Sequence, residues 1–127
     1  MRSALLVIDV QRDLCEGRDA AFEADLVIGR INVLSQRARR SGAPVIFVQH
    51  EGKNGYLEFG TEGWKLPPSL ISQEGDLFVR KTTPDSFHRT NLEALLKEQG
   101  VGEIVVCGMH TEYTTRARTG ISCCLGC

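Results

Sequence analysis

The sequence has no block of like charge: 15 Lys and Arg oppose 16 Asp and Glu, for a formal net charge of -1. A chain so balanced has no long-range pull toward a polyanion and offers no basic arm, so neither a nucleic-acid nor a membrane partner is expected. Long apolar runs are also missing. The opening stretch MRSALLVIDV is broken at Asp9 and carries no small-residue cleavage site, so it reads as neither a signal peptide nor a membrane span. There is no disulfide framework, because Cys15 and Cys107 stand alone while Cys123, Cys124 and Cys127 crowd the last five positions. Repeats and low-complexity tracts are absent. What remains is one domain of 127 residues, expected to be cytoplasmic.

The apolar runs that are present, Ala4 to Ile8, Val45 to Val48, Leu77 to Val79 and Ile104 to Cys107, are short, β-branched-rich and not alternating. Such runs suit parallel strands covered on both faces. Helical spacing separates them. Leu26, Val27, Ile31, Val33, Leu34 and Ala38 recur between Ala21 and Ser41, where Gly42 stops the helix ahead of Pro44. A second helix is predicted from Thr90 to Gln99, with Thr90 as N-cap, Glu93 three residues on and Gly100 as the stop. Arg37, Arg39 and Arg40 fall on the first helix, where a solvated face accounts for them. Glu51 to Gly75 has no strong period and reads as a long functional loop. The order implies a three-layer α/β/α, Rossmann-like domain with an open parallel sheet and right-handed crossovers.

Ligands in such sheets bind beyond the carboxyl ends of the strands. Asp9, His50 and Lys81 end the first three runs, and the fourth leads into Gly108, His110, Thr111 and Thr114. Each has an ordinary explanation alone: a turn cap, a half-buried histidine, a surface lysine. A carboxylate, an ammonium and a polar turn converging on one sheet edge form a candidate catalytic set.

LLVIDVQRDL, VIFVQH, KTTPDSFHRTNLEALLKEQG and VVCGMHTEY, in this order, resemble the isochorismatase-like cysteine hydrolases, a group that includes nicotinamidases, pyrazinamidases, carbamoylases and isochorismatases. The resemblance runs from about residue 4 to residue 113, so residues 1–113 read as the hydrolase domain and 114–127 as a divergent tail. It implies hydrolysis of a small amide, carbamoyl or enol-ether substrate by a Cys-Asp-Lys triad, with Asp9 as the base and Lys81 as its electrostatic partner. It further implies a cis peptide at Met109-His110 and an oxyanion hole from the His110 and Thr114 N–H groups. Gln11, His50, Trp64 and Phe87 are candidate pocket residues, Trp64 being equally readable as a loop anchor. No cofactor and no metal are expected. The expected partner is a small molecule, and family members are commonly homo-oligomers.

The sequence departs from the family where the nucleophile belongs: Thr111-Glu112-Tyr113 is followed by Thr114 instead of Cys. A hydroxyl is much less acidic than a thiol of pKa about 8.5. Cys107 reads as a small buried hydrophobe and Cys15 as a packed or exposed thiol, while a helix onward from Thr114 carries Cys123 out of reach. Cys124-Leu125-Gly126-Cys127 satisfies CxxC formally but lacks a second ligand pair. A change of reading frame or splicing after Tyr113 accounts for both the missing cysteine and the unrelated tail. The sheet is then expected to be incomplete on its C-terminal side, and a further reading is a truncated product without function, its fourth strand left as an exposed edge prone to self-association. The alternative reading is a non-catalytic small-molecule-binding or oligomerisation module on the same fold.

Overall fold

The sheet is parallel throughout and ordered β3-β2-β1-β4-β5. Its strands are β1 (Arg2–Ile8), β2 (Val45–His50), β3 (Leu77–Lys81), β4 (Val101–Gly108) and β5 (Ser122–Leu125); its helices are α1 (Arg12–Cys15), α2 (Ala24–Arg40) and α3 (Leu92–Glu98). These come from a computed structural model, which describes residues 2–17, 23–109 and 122–125.

Both faces of the central strands are apolar because both are covered. Leu6, Ile8, Ile46, Val48 and Ile104 pack with Leu92 and Leu96 of α3. Leu5, Val7, Val45 and Phe47 face Ile28 and Ile31 of α2 on the opposite side. Alternate residues of one strand thus serve two cores, as the period of two demands, and the run shows no polar alternation. α2 stops where the sequence predicts. Gly42 takes φ +81, its N–H donates to Arg39 O (3.1 Å), and Ala43 N–H donates to Ala38 O (2.9 Å), which is a Schellman closure. α3 begins one residue later than the sequence predicts, with Asn91 and not Thr90 as its N-cap; Thr90 Oγ1 accepts from Leu92 N–H at 3.3 Å from just outside the helix.

Two expectations are corrected. The fourth strand is not an edge, because Ser122–Leu125 pairs with it in parallel, Ile104 opposite Cys123 and Val106 opposite Leu125. A four-residue strand in a parallel sheet needs no alternation, so SCCL gave no periodic signal. Arg39 is also not merely part of a solvated face. It makes a bidentate pair with Asp76 (Nε–Oδ1 3.1 Å, Nη2–Oδ2 2.7 Å) and reaches Ile71 O (3.2 Å). Asn32 of α2 completes the tether, donating to Ser69 O and accepting from Ile71 N–H, both at 2.9 Å. The second half of the long loop is therefore fastened to α2.

No helix among the described residues is long and apolar enough to cross a membrane.

Candidate active site

The strand order reverses direction at β1: the chain moves outward through β2 and β3, then returns to place β4 on the other side of β1. A crevice opens at such a switch point, because the connections from the two neighbouring strands leave on opposite faces. Asp9 follows β1 directly and occupies this position. Its backbone is left-handed, φ 60, a conformation that Asp tolerates better than most residues. Its N–H donates to Val48 O (3.0 Å), and Met109 N–H donates to Ile8 O (3.0 Å), fixing the Asp9 turn between β2 and β4.

Lys81 comes from two strands away. β2 separates β3 from β1, so a long side chain is required to reach Asp9 across the end of β2. Lys81 is 2% exposed, and its Nζ lies 3.1 Å from Asp9 Oδ1 and 3.5 Å from Oδ2. Further contacts go to Thr83 O (3.3 Å) and His50 Nδ1 (3.3 Å). An ammonium can only donate, so Nδ1 accepts and the His50 ring proton sits on Nε2.

Burial lowers the His50 pKa, and the neighbouring Lys81 charge lowers it further, with Asp9 opposing. A folded-state value below the ordinary one means that the unfolded chain binds more protons between the two values. Stability is then retained above the ordinary histidine value, near 6.5, and lost as pH falls through that window. His50→Asn removes this dependence. Urea titrations from pH 7.5 to pH 5 are expected to show a smaller loss of stability in His50→Asn than in the parent; equal losses would place the dependence elsewhere.

A cleft of about 250 Å³ lies against the Asp9–Lys81 pair, lined also by Leu14, His50, Tyr56, Leu57 and Pro84. Of the residues singled out by sequence, Asp9, His50 and Lys81 meet here. Gln11 is fully buried, and its amide donates to His50 O and Trp64 O, each at 2.9 Å, and accepts from His50 N–H at 2.8 Å. It ties the end of β2 to the long loop. Trp64 packs edge-on against Phe59 (ring centroids 4.7 Å apart), and Phe87 belongs to the α3-side core; neither is among the described residues lining the cleft. His110, Thr114, the Met109-His110 peptide and the second cysteine of the CxxC pair lie outside the described residues.

Neither buried cysteine approaches a nucleophile's role. Cys15 packs among Val10, Ala24 and Ile28, and burial pushes its thiol up to about 11. Cys107 is fully buried in β4. Cys123 pairs with Ile104, four positions before Gly108, which puts it about 13 Å from the sheet edge at about 3.3 Å per residue. Among the described residues, no group of three or more His, Cys, Asp and Glu could hold a metal ion.

Sequence reasoning missed Leu14, Tyr56, Leu57 and Pro84. Leu14 sits on the four-residue helix α1 and the other three on irregular segments, too short or too irregular for a period to mark an inward face. Asp13 was missed likewise, although its carboxylate accepts from Leu57 N–H at 2.9 Å.

The chain matches the isochorismatase domain over residues 3–119. It belongs to the isochorismatase-like hydrolase family. A streptothricin hydrolase of Streptomyces noursei is 40% identical over 115 residues, covering 90% of this chain and 42% of that protein. The uncharacterized isochorismatase family protein YddQ of Bacillus subtilis is 37% identical, covering 86% of this chain and 63% of its own length. A crystal structure of an isochorismatase family protein superposes with a TM-score of 0.79 at 38% identity, covering 87% of this chain and 65% of the other. The chain thus spans less than two thirds of the length of these relatives. The domain match also continues past Tyr113, to residue 119.

Proposed function

We propose that this domain carries the acid–base half of a cysteine-hydrolase site for small amide, carbamoyl or enol-ether substrates, with Thr114 in the nucleophile's position. The observation that carries this reading is the Lys81–Asp9 pair, 3.1 Å apart and almost fully buried at the mouth of a small cleft. Two charges are seldom withdrawn from water without a use for the field they create.

In the proposed reaction, Asp9 accepts the nucleophile's proton, and Lys81 holds the carboxylate in place and offsets the charge that accumulates. With an amide or carbamoyl substrate, the nucleophile adds to the carbonyl carbon, the amine departs with the proton that Asp9 returns, and water adds to the acyl group, freeing the acid and restoring the nucleophile. Cysteine suits this sequence because its thiol ionises close to neutrality. A threonine hydroxyl does not, and one carboxylate activates it poorly.

Replacement Thr114→Cys tests the reading. Amine release from a panel of small amides and carbamoyl compounds is expected to stay at background for the parent and to rise clearly above it for Thr114→Cys. Adding Asp9→Asn to that variant is expected to reduce the rate by about 10²–10⁴-fold, the usual contribution of a general base. No gain from Thr114→Cys in a folded protein favours the second reading, a small-molecule-binding module without turnover. Thr114 itself is the observation in that reading's favour.

A further inference from the structure

Tyr56 and Leu57, which line the cleft together with Asp9 and Lys81, belong to a short self-closed segment of the long loop. Gly52 N–H donates to Leu57 O (2.9 Å) and Tyr56 N–H donates to Lys53 O (3.3 Å), so residues 52–57 fold back on themselves. At the end of the segment Leu57 adopts φ 52. A left-handed backbone is unfavourable for a branched side chain, and it persists only where the surroundings impose it. Here they do. Leu57 N–H is held by Asp13 Oδ2 at 2.9 Å, and Asp13 N–H is held in turn by Gly63 O at 2.9 Å. The result is a leucine only 4% exposed that lines the cleft and is fixed there by its own main chain.

We infer that Leu57 is a specificity-determining residue of this cleft, selecting uncharged substrates with an apolar acyl substituent over carboxylate-bearing ones. For the bond that is broken the inference rests on the hydrolase reading; for what the cleft binds it does not. Leu14, Tyr56, Leu57 and Pro84 give the wall its apolar character. Among the described lining residues the ionisable groups that meet at the strand ends are Asp9 and Lys81, paired at 3.1 Å, and His50, whose protonation burial and Lys81 both oppose. A carboxylate on the substrate therefore meets no unpaired cation among the described lining residues, and it is repelled by Asp9. A volume of about 250 Å³ suits a small acyl group and not an extended chain.

The probes are benzamide, uncharged and apolar, and succinamic acid, an amide of comparable size bearing a carboxylate. Equilibrium titration of the full chain at pH 7.5 is expected to show benzamide binding at least about tenfold more tightly, as one or two well-placed apolar groups commonly achieve. Leu57→Gly relieves the left-handed backbone, so folding is preserved while the wall is removed; benzamide affinity is expected to fall by about tenfold and succinamate affinity by less than twofold. Leu57→Met restores the bulk and is expected to restore the preference. The inference is overturned if succinamate binds the parent as tightly as benzamide, if neither binds, or if Leu57→Gly leaves the ratio unchanged. Selective binding without turnover by Thr114→Cys would sink the hydrolase reading alone.

Discussion

Replacing Lys81 with Met is expected to cost this domain about 3–5 kcal/mol, the usual penalty for removing one partner of a buried ion pair. Lys81 is 2% exposed, and the Asp9 side chain 9%, so water can do little for the carboxylate left behind. Methionine fills much of the lysine stem's volume, which isolates the effect of charge from that of packing. The loss is a large fraction of the 5–15 kcal/mol that holds an ordinary domain together, so a denaturant midpoint measurement resolves it easily. Combining Lys81→Met with Asp9→Asn removes the buried carboxylate's charge and is expected to recover most of the loss. If the single and double variants are equally unstable, packing of the lysine stem and not charge pairing explains the sensitivity. The same comparison bears on function, because a pair whose joint removal scarcely affects stability is retained for another reason.

Gly108→Ala is expected to be at least as damaging. A Cβ at this position would lie 2.0 Å from Ile8 O and 2.8 Å from Ile8 N, both backbone atoms of the neighbouring central strand. No side-chain rotation can relieve that contact. The backbone at Gly108 has φ +130, which L-residues rarely adopt, so a second penalty adds to the first. Relief requires β1 and β4 to separate where Asp9 leaves the sheet and the β4 turn begins. Destabilisation above about 4 kcal/mol, or failure to fold, is therefore expected from thermal and denaturant melts. An alanine variant with parental stability would mean that the ends of these strands are more loosely joined than the Gly108–Ile8 register indicates.

Both predictions concern the ends of the strands, where the proposed chemistry also sits. β1, β2 and β3 finish at Ile8, His50 and Lys81, so one layer at the sheet's edge brings Asp9, the imidazole and the ammonium together. Gln11 and Asp13 stabilise that layer from beneath the long loop, each through hydrogen bonds to loop backbone. A site assembled this way needs few residues in contact with a ligand but many that fix the backbone around it.

Much of this was legible in the sequence, for reasons that are local. Non-alternating β-branched runs identify parallel strands because both faces are buried, and the stops at Gly42 and Gly100 mark helix ends because glycine adopts the backbone conformation that closes them; both have positive φ. Asp9, His50 and Lys81 could be named as candidates because a parallel sheet delivers its strand ends to one edge. Thr114 could be named because the chain spells TEYT where the family resemblance leads to a cysteine. The tertiary structure decided what local pattern does not encode. It made Gln11 a buried clamp, it drew Arg39 from a run of basic residues into a bidentate pair with Asp76, and it placed SCCL beside β4 as a strand. It also turned Leu57, an unremarkable loop residue, into a fixed wall of the cleft. Each of these outcomes depends on partners between 19 and 53 residues distant in sequence, and long-range pairing of that kind leaves no periodicity for sequence reading to detect.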